Sequence, residues 1–177
     1  MQNVEYKVEL RDVELARTVC RKIGARMVAS FRQTDTYFRI ADGRLKKREA
    51  PGEPTEWIFY HRQNRVKPKL SNFTIYSDRE ARERYGERPL PVWLIVEKHR
   101  ELWMWGSVRV HLDEVFGLGR FLEIEALVTP RQHLGKCHRL VQRLVDKLGM
   151  ALGEPICNGY ADMMALEQEA GQTKRGA

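Results

Sequence analysis

Alternating apolar and polar residues mark the beginning of the chain and recur along most of its length. In residues 3–10, Val4, Tyr6, Val8 and Leu10 alternate with polar side chains, a period of two that is typical of a β-strand with one buried face. Comparable segments predict further strands over residues 27–40, 44–49, 55–62, 69–76, 93–105, 108–113 and 121–126. The chain is therefore expected to be mainly β, with about eight strands.

Helical spacing is confined to a few shorter segments. Residues 12–24 predict a helix that begins at the N-cap Asp12, and residues 77–85 predict a short charged helix. The sequence Thr-Pro-Arg-Gln at 129–132 has the pattern of a capping box with proline at the first helical position. A longer helix, with an apolar stripe that belongs to the core, is expected from there to Gly149.

The turns between strands predict which charged residues face each other. Gly106-Ser107 suits a two-residue hairpin turn, which places Arg100 opposite Asp113, with Lys98 one step further along the same face. Cations and a carboxylate are therefore expected to share one face of the sheet.

A three-residue loop at 117–119 would pair the next two strands. It places Asp113 opposite Glu123 and His111 opposite Glu125. Facing carboxylates repel each other. They are tolerated in open water, or in an enclosed site where a divalent cation binds their oxygen atoms.

A two-residue turn at 42–43, of sequence Asp-Gly, is the strongest hairpin signal of the chain. It places Arg39 opposite Lys46, and Tyr37 opposite Arg48. Two facing cations need an anion between them or open water. So many opposed like charges favour an eight-stranded antiparallel closed barrel with a charged, ligand-filled lumen and helices outside.

Composition narrows the class of protein. The chain has 177 residues, enough for one domain, with 42% hydrophobic and 31% charged residues and a net charge of +7. These values are typical of a globular protein that binds an anionic partner, and nucleic acid, a phosphorylated metabolite and an acidic protein all remain open. The three separated cysteines predict neither a disulfide framework nor a zinc site. Without a signal peptide or a membrane-spanning run, a cytoplasmic protein is expected.

Five motifs, in order along the chain, together resemble the CYTH superfamily of triphosphate tunnel metalloenzymes, and within it the branch of class IV adenylyl cyclases. The resemblance extends from residue 3 to about Met164, so the CYTH domain is assigned to residues 1–167 and a disordered tail to 168–177. The motifs are Glu5-Tyr-Lys7, Gln33-Thr-Asp-Thr-Tyr-Phe38, Gly43-Arg-Leu-Lys-Lys-Arg48, Glu97-Lys-His-Arg100 and the segment 108–125.

The resemblance implies a role for each matching residue. The implied metal ligands, for Mg2+ or Mn2+, are Glu5, Asp113, Glu123 and Glu125. The implied phosphate-binding residues are Lys7, Lys46, Arg48, Arg62, Lys98, Arg100 and Arg109, of which Lys7, Arg48, Lys98 and Arg100 are also assigned to catalysis. The chain departs from the family pattern at Asn3, where the family has a first glutamate, and at Gly159, where many members have a serine before the residue equivalent to Tyr160.

The resemblance implies an enzyme that converts ATP into cyclic AMP and pyrophosphate. The alternatives are a phosphohydrolase acting on inorganic triphosphate, thiamine triphosphate or a nucleotide in the same tunnel, and a phosphate-binding or nucleotide-binding module without catalysis. Nucleic acid is not expected as a partner, because the cations interleave with carboxylates instead of spreading over a surface. Trp103 and Trp105 are interpreted as packing against a helix or a second copy of the chain, and His111 as a hydrogen-bonded structural histidine.

Overall fold

The computed structural model describes the backbone of residues 1–62 and 66–175, and the side chains of residues 1–61 and 66–171. Strands account for more of these residues than helices do. The strands are β1 (Gln2–Leu10), β2 (Arg26–Phe38), β3 (Arg44–Glu49), β4 (Glu56–Arg62), β5 (Lys69–Tyr76), β6 (Val92–Trp105), β7 (Val108–Val115), β8 (Gly119–Leu127) and β9 (Leu152–Pro155).

The strands form a closed antiparallel barrel. They follow the order β5-β4-β3-β2-β6-β7-β8-β1, and pairing of β1 with β5 closes the ring. β9 lies outside the ring on the end of β1, through Val8 and Leu10. The predicted eight-stranded closed barrel is confirmed, with β9 as an additional short strand.

Helices cover the outside and one end of the barrel. They are α1 (Val13–Lys22), α2 (Asp78–Tyr85), α3 (Leu134–Leu148) and α4 (Tyr160–Arg175), with a single 3-10 turn at Gly149–Ala151. α1 begins as predicted, because Asp12 accepts a hydrogen bond from the backbone N–H of Leu15. Among the described residues, no helix combines the length and apolar character that crossing a membrane requires.

Two apolar clusters surround the polar interior. In the larger cluster the outward faces of β1, β7 and β8 pack against α1 and α3, with Val4, Val110, Ile124 and Leu144 fully buried. The smaller cluster lies at one end of the barrel, where Tyr160 of α4 packs with inward-facing residues of several strands. α4 therefore covers that end, and the alternation of the strands leaves their charged faces turned inward.

The pairing of β7 with β8 differs from the prediction by two residues. The loop has the predicted three residues but lies one position earlier, so that Val115 pairs with Gly119 and His111 faces Glu123. The chain leaves β7 at Phe116, whose N–H donates to the Glu97 carbonyl of β6. The prediction that Asp113 faces Glu123 and His111 faces Glu125 is wrong: Asp113 faces Phe121, and Arg109 faces Glu125.

The hairpin between β2 and β3 is also wider than predicted. β2 ends at Phe38, which pairs with Leu45, and the N–H of Arg39 donates to the Pro91 carbonyl beside β6. Arg39, which follows β2, therefore does not pair with β3. The predicted facing pair of Arg39 and Lys46 does not form. Tyr37 faces Lys46 instead, and Asp35 faces Arg48, so a carboxylate lies opposite the arginine that was expected to face Tyr37.

The third helix begins later than predicted. Residues 129–132 form a tight turn closed by two backbone hydrogen bonds between Thr129 and Gln132. The Gln132 side chain does not cap the helix, because it bonds to Ser107 and to the Leu127 carbonyl. His133 is the N-cap instead. At the other end of the chain, residues 168–175 continue α4, and residues 176 and 177 of the predicted tail lie outside the described residues.

Candidate active site inside the barrel

A cavity of about 230 Å³ lies inside the barrel and is lined mainly by inward-facing polar side chains. Alternation along each strand brings cations and carboxylates from different strands into it. Its charged lining residues are Glu5, Lys7, Lys46, Arg48, Glu56, Lys98, Arg100, Arg109, Glu123 and Glu125. The structure therefore brings together most of the site residues that the sequence predicts.

Asp35 is the centre of one ion network. Its side chain is fully buried, and its oxygen atoms bind Lys46 Nζ at 2.9 Å and Arg48 Nε at 2.9 Å, with Lys98 Nζ at 3.5 Å. Burial alone would raise the pKa of Asp35, but the charges of Arg48, Lys46 and Lys98 hold it well below its ordinary value. Asp35 fixes the positions of three predicted phosphate-binding cations. Sequence reasoning missed this role.

Arg100 is the centre of a second network. Its guanidinium binds both oxygen atoms of Asp113 at 2.6 Å and Glu123 Oε2 at 2.7 Å. The Tyr160 hydroxyl donates to Asp113 at 2.8 Å, which links α4 to the lumen. Burial would raise the pKa of Asp113, but Arg100 and Lys98 lower it. Asp113, predicted as a metal ligand, thus holds Arg100 and Tyr160 in this structure.

Lys7 extends the second network towards β1. Its Nζ atom lies 2.8 Å from Glu123 Oε1 and 3.6 Å from the centre of the Tyr160 ring. Both oxygen atoms of Glu123 therefore contact a cation, Lys7 on one side and Arg100 on the other. Lys7, Glu123, Arg100 and Asp113 therefore form one continuous set of ion pairs.

The pKa of Lys46 is subject to opposing effects of its surroundings. Burial lowers the pKa of Lys46 to about 7, and the nearby Arg48 charge adds to the lowering, while Asp35 opposes it. Burial and Arg100 likewise lower the pKa of Lys98. These ammonium groups are crowded by other cations, so a bound polyanion would stabilise their protonated forms.

We therefore expect tripolyphosphate binding to take up a proton at Lys46. At about pH 8, above the lowered pKa, Lys46 is largely neutral in the free protein, and a bound anion raises that pKa again. Titration calorimetry in two buffers of different ionisation enthalpy measures the uptake. Lys46→Met should remove it, whereas Lys47→Met, on the next residue and outside the cavity lining, should retain it. Equal uptake by both variants would contradict the assignment.

His111, Glu123 and Glu125 form a cluster that could hold a metal ion. One donor atom from each lies within 4.8 Å of the others. His111 Nδ1 is 3.8 Å from both Glu123 Oε2 and Glu125 Oε1, and burial, followed by the Arg100 charge, lowers the pKa of this histidine. A neutral imidazole and two carboxylates are a donor set that fits a divalent metal ion.

The remaining predicted residues lie around this cluster. Glu5 lines the cavity and pairs across strands with Glu125 and Lys69. Arg109 also lines the cavity, facing Glu125, but is exposed. The Arg62 side chain lies outside the described residues. Asn3 lines the cavity and is buried, and its Oδ1 atom has no hydrogen-bond partner among the described residues.

A larger cavity, of about 510 Å³, adjoins the first one at the end covered by α4. The two cavities share Tyr37, Tyr60 and Gly159. The larger one is also lined by the aromatic side chains of Phe38 and Trp93. It therefore offers mainly apolar surface next to a strongly charged site.

The amino-acid sequence matches the CYTH domain over residues 1–152. The chain belongs to the CYTH domain family. Family members include adenylyl cyclase-like enzymes and triphosphatases, which bind triphosphate substrates and use divalent metals. The resemblance inferred from the sequence motifs is thus confirmed.

Solved structures share the fold of this CYTH protein. A Pyrococcus horikoshii protein, 18% identical, gives a TM-score of 0.71 over 90% of this chain and 98% of its own. A candidate adenylate cyclase from Vibrio parahaemolyticus, 15% identical, gives 0.69 over 92% and 97%. A candidate adenylyl cyclase from Hippeastrum, described as having a dominant triphosphatase activity, is 13% identical and gives 0.61 over 95% and 96%. No curated protein sequence gives a significant match.

Proposed function

We propose that this CYTH protein is a divalent-metal-dependent enzyme that converts ATP into cyclic AMP and pyrophosphate inside the barrel. The observation that carries the proposal is the convergence of cations and carboxylates in one enclosed cavity. A triphosphate with its metal ion needs both, because the phosphate oxygens require cations and the metal requires acidic ligands. The converging cations are Lys7, Lys46, Arg48, Lys98 and Arg100.

The cations are assigned to the triphosphate. Arg48 and Arg100 present guanidinium donors that suit phosphate oxygens, and Lys7 and Lys98 add point charges. As the ribose 3′-hydroxyl attacks the α-phosphorus and the bond to pyrophosphate breaks, these four residues stabilise the charge that develops on the leaving group. Lys46, Arg62 and Arg109 are assigned to binding alone.

The carboxylates are assigned to the metal. Glu5, Glu123 and Glu125 would hold a divalent ion, which when bound polarises phosphoryl oxygens. Asp113 is assigned first to the orientation of Arg100, whose guanidinium it binds through two hydrogen bonds. Its direct bond to the metal stays a prediction.

A triphosphatase is the second candidate. In that reaction water attacks the terminal phosphorus, and the same cations stabilise the same kind of charge. The described activity of the Hippeastrum protein, which shares the fold, supports this alternative. The aromatic cavity beside the charged one favours a substrate with an organic group over inorganic triphosphate, because it offers apolar surface for a base.

Product analysis distinguishes these reactions. The protein would be incubated with ATP, and separately with tripolyphosphate, each with Mg2+ or Mn2+, and the products followed by 31P NMR and chromatography. We expect cyclic AMP and pyrophosphate from ATP. Orthophosphate from either substrate would establish a triphosphatase instead, and binding without turnover would establish a binding module. Arg48→Met is the inactive control, since it removes a lumen cation without touching the carboxylate cluster.

A further inference from the structure

We propose that His111 binds the metal ion of this site through Nδ1, together with Glu123 and Glu125, and that it makes the site prefer Mn2+ over Mg2+. This inference rests on the proposed function for the presence of a metal, but it concerns a ligand that the family resemblance does not assign. The evidence for it is the position of the His111 imidazole and the lack of a hydrogen-bond partner for its Nδ1 among the described residues.

The first argument is the unsatisfied state of this atom. His111 is only 5% exposed, and its Nδ1 has no hydrogen-bond partner among the described residues. A buried polar atom without a partner costs free energy, so its retention needs an explanation, of which a bound ion is one. The nitrogen lies near two carboxylates, so a cation there would find three donor atoms.

The second argument is distance. Nδ1 lies 3.8 Å from an oxygen of Glu123 and 3.8 Å from an oxygen of Glu125, which is too long for hydrogen bonds. Two atoms bound to one ion at about 2.1 Å each can lie up to about 4.2 Å apart. The observed spacing thus fits two ligands of a shared ion better than it fits a direct contact.

The third argument is the support of the cluster by paired strands. His111 on β7 faces Glu123 on β8, and Glu125 lies two residues further along the same face. Cross-strand neighbours of this kind are held at short range by the sheet itself. The three donor atoms therefore need little rearrangement to meet one ion.

The choice of metal follows from the donor atoms. Mg2+ takes oxygen ligands in a strict octahedral arrangement and keeps several waters, whereas imidazole nitrogen favours first-row transition metals. Replacing one oxygen donor by nitrogen in an otherwise carboxylate site shifts the preference towards Mn2+. An aspartate at this position would shift it back.

The ion pairs of Glu123 determine how binding must be measured. Lys7 and Arg100 each bind an oxygen atom of Glu123, so a metal ion alone has to compete with two cations. A polyphosphate that attracts Lys7 and Arg100 releases the carboxylate. Metal binding should therefore be tested with tripolyphosphate present.

The experiment is pulsed electron paramagnetic resonance of Mn2+ bound to the full chain with tripolyphosphate. We expect a 14N coupling from a directly bound nitrogen, replaced by a 15N coupling when the protein is grown with 15N-histidine. Within the described part of the chain, His111 is the histidine that clusters with Glu123 and Glu125. A bound Mn2+ signal without nitrogen coupling would overturn the inference.

A variant pair locates the nitrogen. His111→Asp should abolish the coupling and weaken Mn2+ binding by at least about tenfold, the loss that removal of even an outer-shell partner causes, while Mg2+ binding is retained. His138→Gln on α3 should behave as wild type. If His111→Asp does not fold, the isotope substitution in the wild-type protein decides alone.

Failure of this inference and failure of the proposed function give different results. Turnover of ATP together with a Mn2+ signal that lacks nitrogen coupling would support the proposed enzyme and contradict the histidine ligand. Nitrogen coupling without turnover of ATP or tripolyphosphate would support the histidine ligand and contradict the proposed enzyme.

Discussion

Glu123→Gln should lower metal-dependent turnover by more than about 100-fold, beyond the usual effect of losing an outer-shell partner of a metal. Glu123 joins the Arg100 network to the candidate metal cluster, because it contacts Lys7 and Arg100 and lies 3.8 Å from His111. Glutamine keeps the shape of the side chain but removes the charge that a cation requires. Steady-state assays with saturating Mn2+ measure the effect.

The matched control is Glu114→Gln. Glu114 is on the neighbouring strand β7 but is exposed and pairs only loosely with Arg120, at 4.0 Å. We expect turnover close to wild type, because exposed ion pairs contribute little. Circular dichroism and thermal unfolding should show that both variants fold. Full activity of Glu123→Gln would contradict the assignment of Glu123 as a metal ligand.

Asp35→Asn should reduce the free energy of unfolding by about 3–5 kcal/mol, the usual loss when one partner of a buried ion network is removed. The fully buried carboxylate binds Lys46 and Arg48 and lies near Lys98, so the variant leaves buried cations without a counter-charge. Urea unfolding measures the loss. Tripolyphosphate should restore part of it, because the added anion takes the place of the carboxylate.

Surface carboxylates provide the contrast. Glu49→Gln removes a similar charge from the Lys47 ion pair, which is partly solvated, and should cost no more than about 1 kcal/mol. Equal losses for Asp35→Asn and Glu49→Gln would contradict the network.

The contribution of Asp35 to stability depends on pH. Because the pKa of Asp35 is lowered in the folded protein, its stabilisation is present above the ordinary aspartate pKa. That stabilisation is lost as the pH falls through the lowered value.

Alternation was sufficient to predict the barrel and the inward faces. Once β1 places Lys7 inward, period two fixes Glu5 and Asn3 on the same side, and the cavity lining confirms this. The pairing of Arg100 with Asp113 was also correct. Its two-residue turn leaves no freedom of register, since Gly106 supplies the positive φ that the turn needs.

Pairings across longer loops could not be predicted in the same way. At Asp42-Gly43 the local signal for a tight turn was strong, but Arg39 bonds to Pro91, 52 residues away in sequence, and the loop widens. The displaced register concealed the pairing of Asp35 with Arg48. A contact between distant parts of the chain decided the outcome, and no local pattern contains that information.

His111 shows the same limit at the site. The predicted loop of β7 and β8, displaced by one residue, places the histidine opposite Glu125 and gives it only a structural role. The observed register sets it opposite Glu123. Either register brings an inward-facing histidine next to two glutamates, but only the structure shows that one donor atom from each lies within 4.8 Å of the others.

Because the cations of the barrel form ion pairs with carboxylates, we expect anion binding to be a form of ion exchange. An incoming anion must compete with Asp35, Asp113 and Glu123 for cations that already form ion pairs with them. A single phosphate can replace only one of these contacts, whereas a chain of phosphates replaces several at once and the effective concentration of each successive group is high. We therefore expect this cavity to bind polyphosphates more tightly than single phosphate ions because of their higher charge.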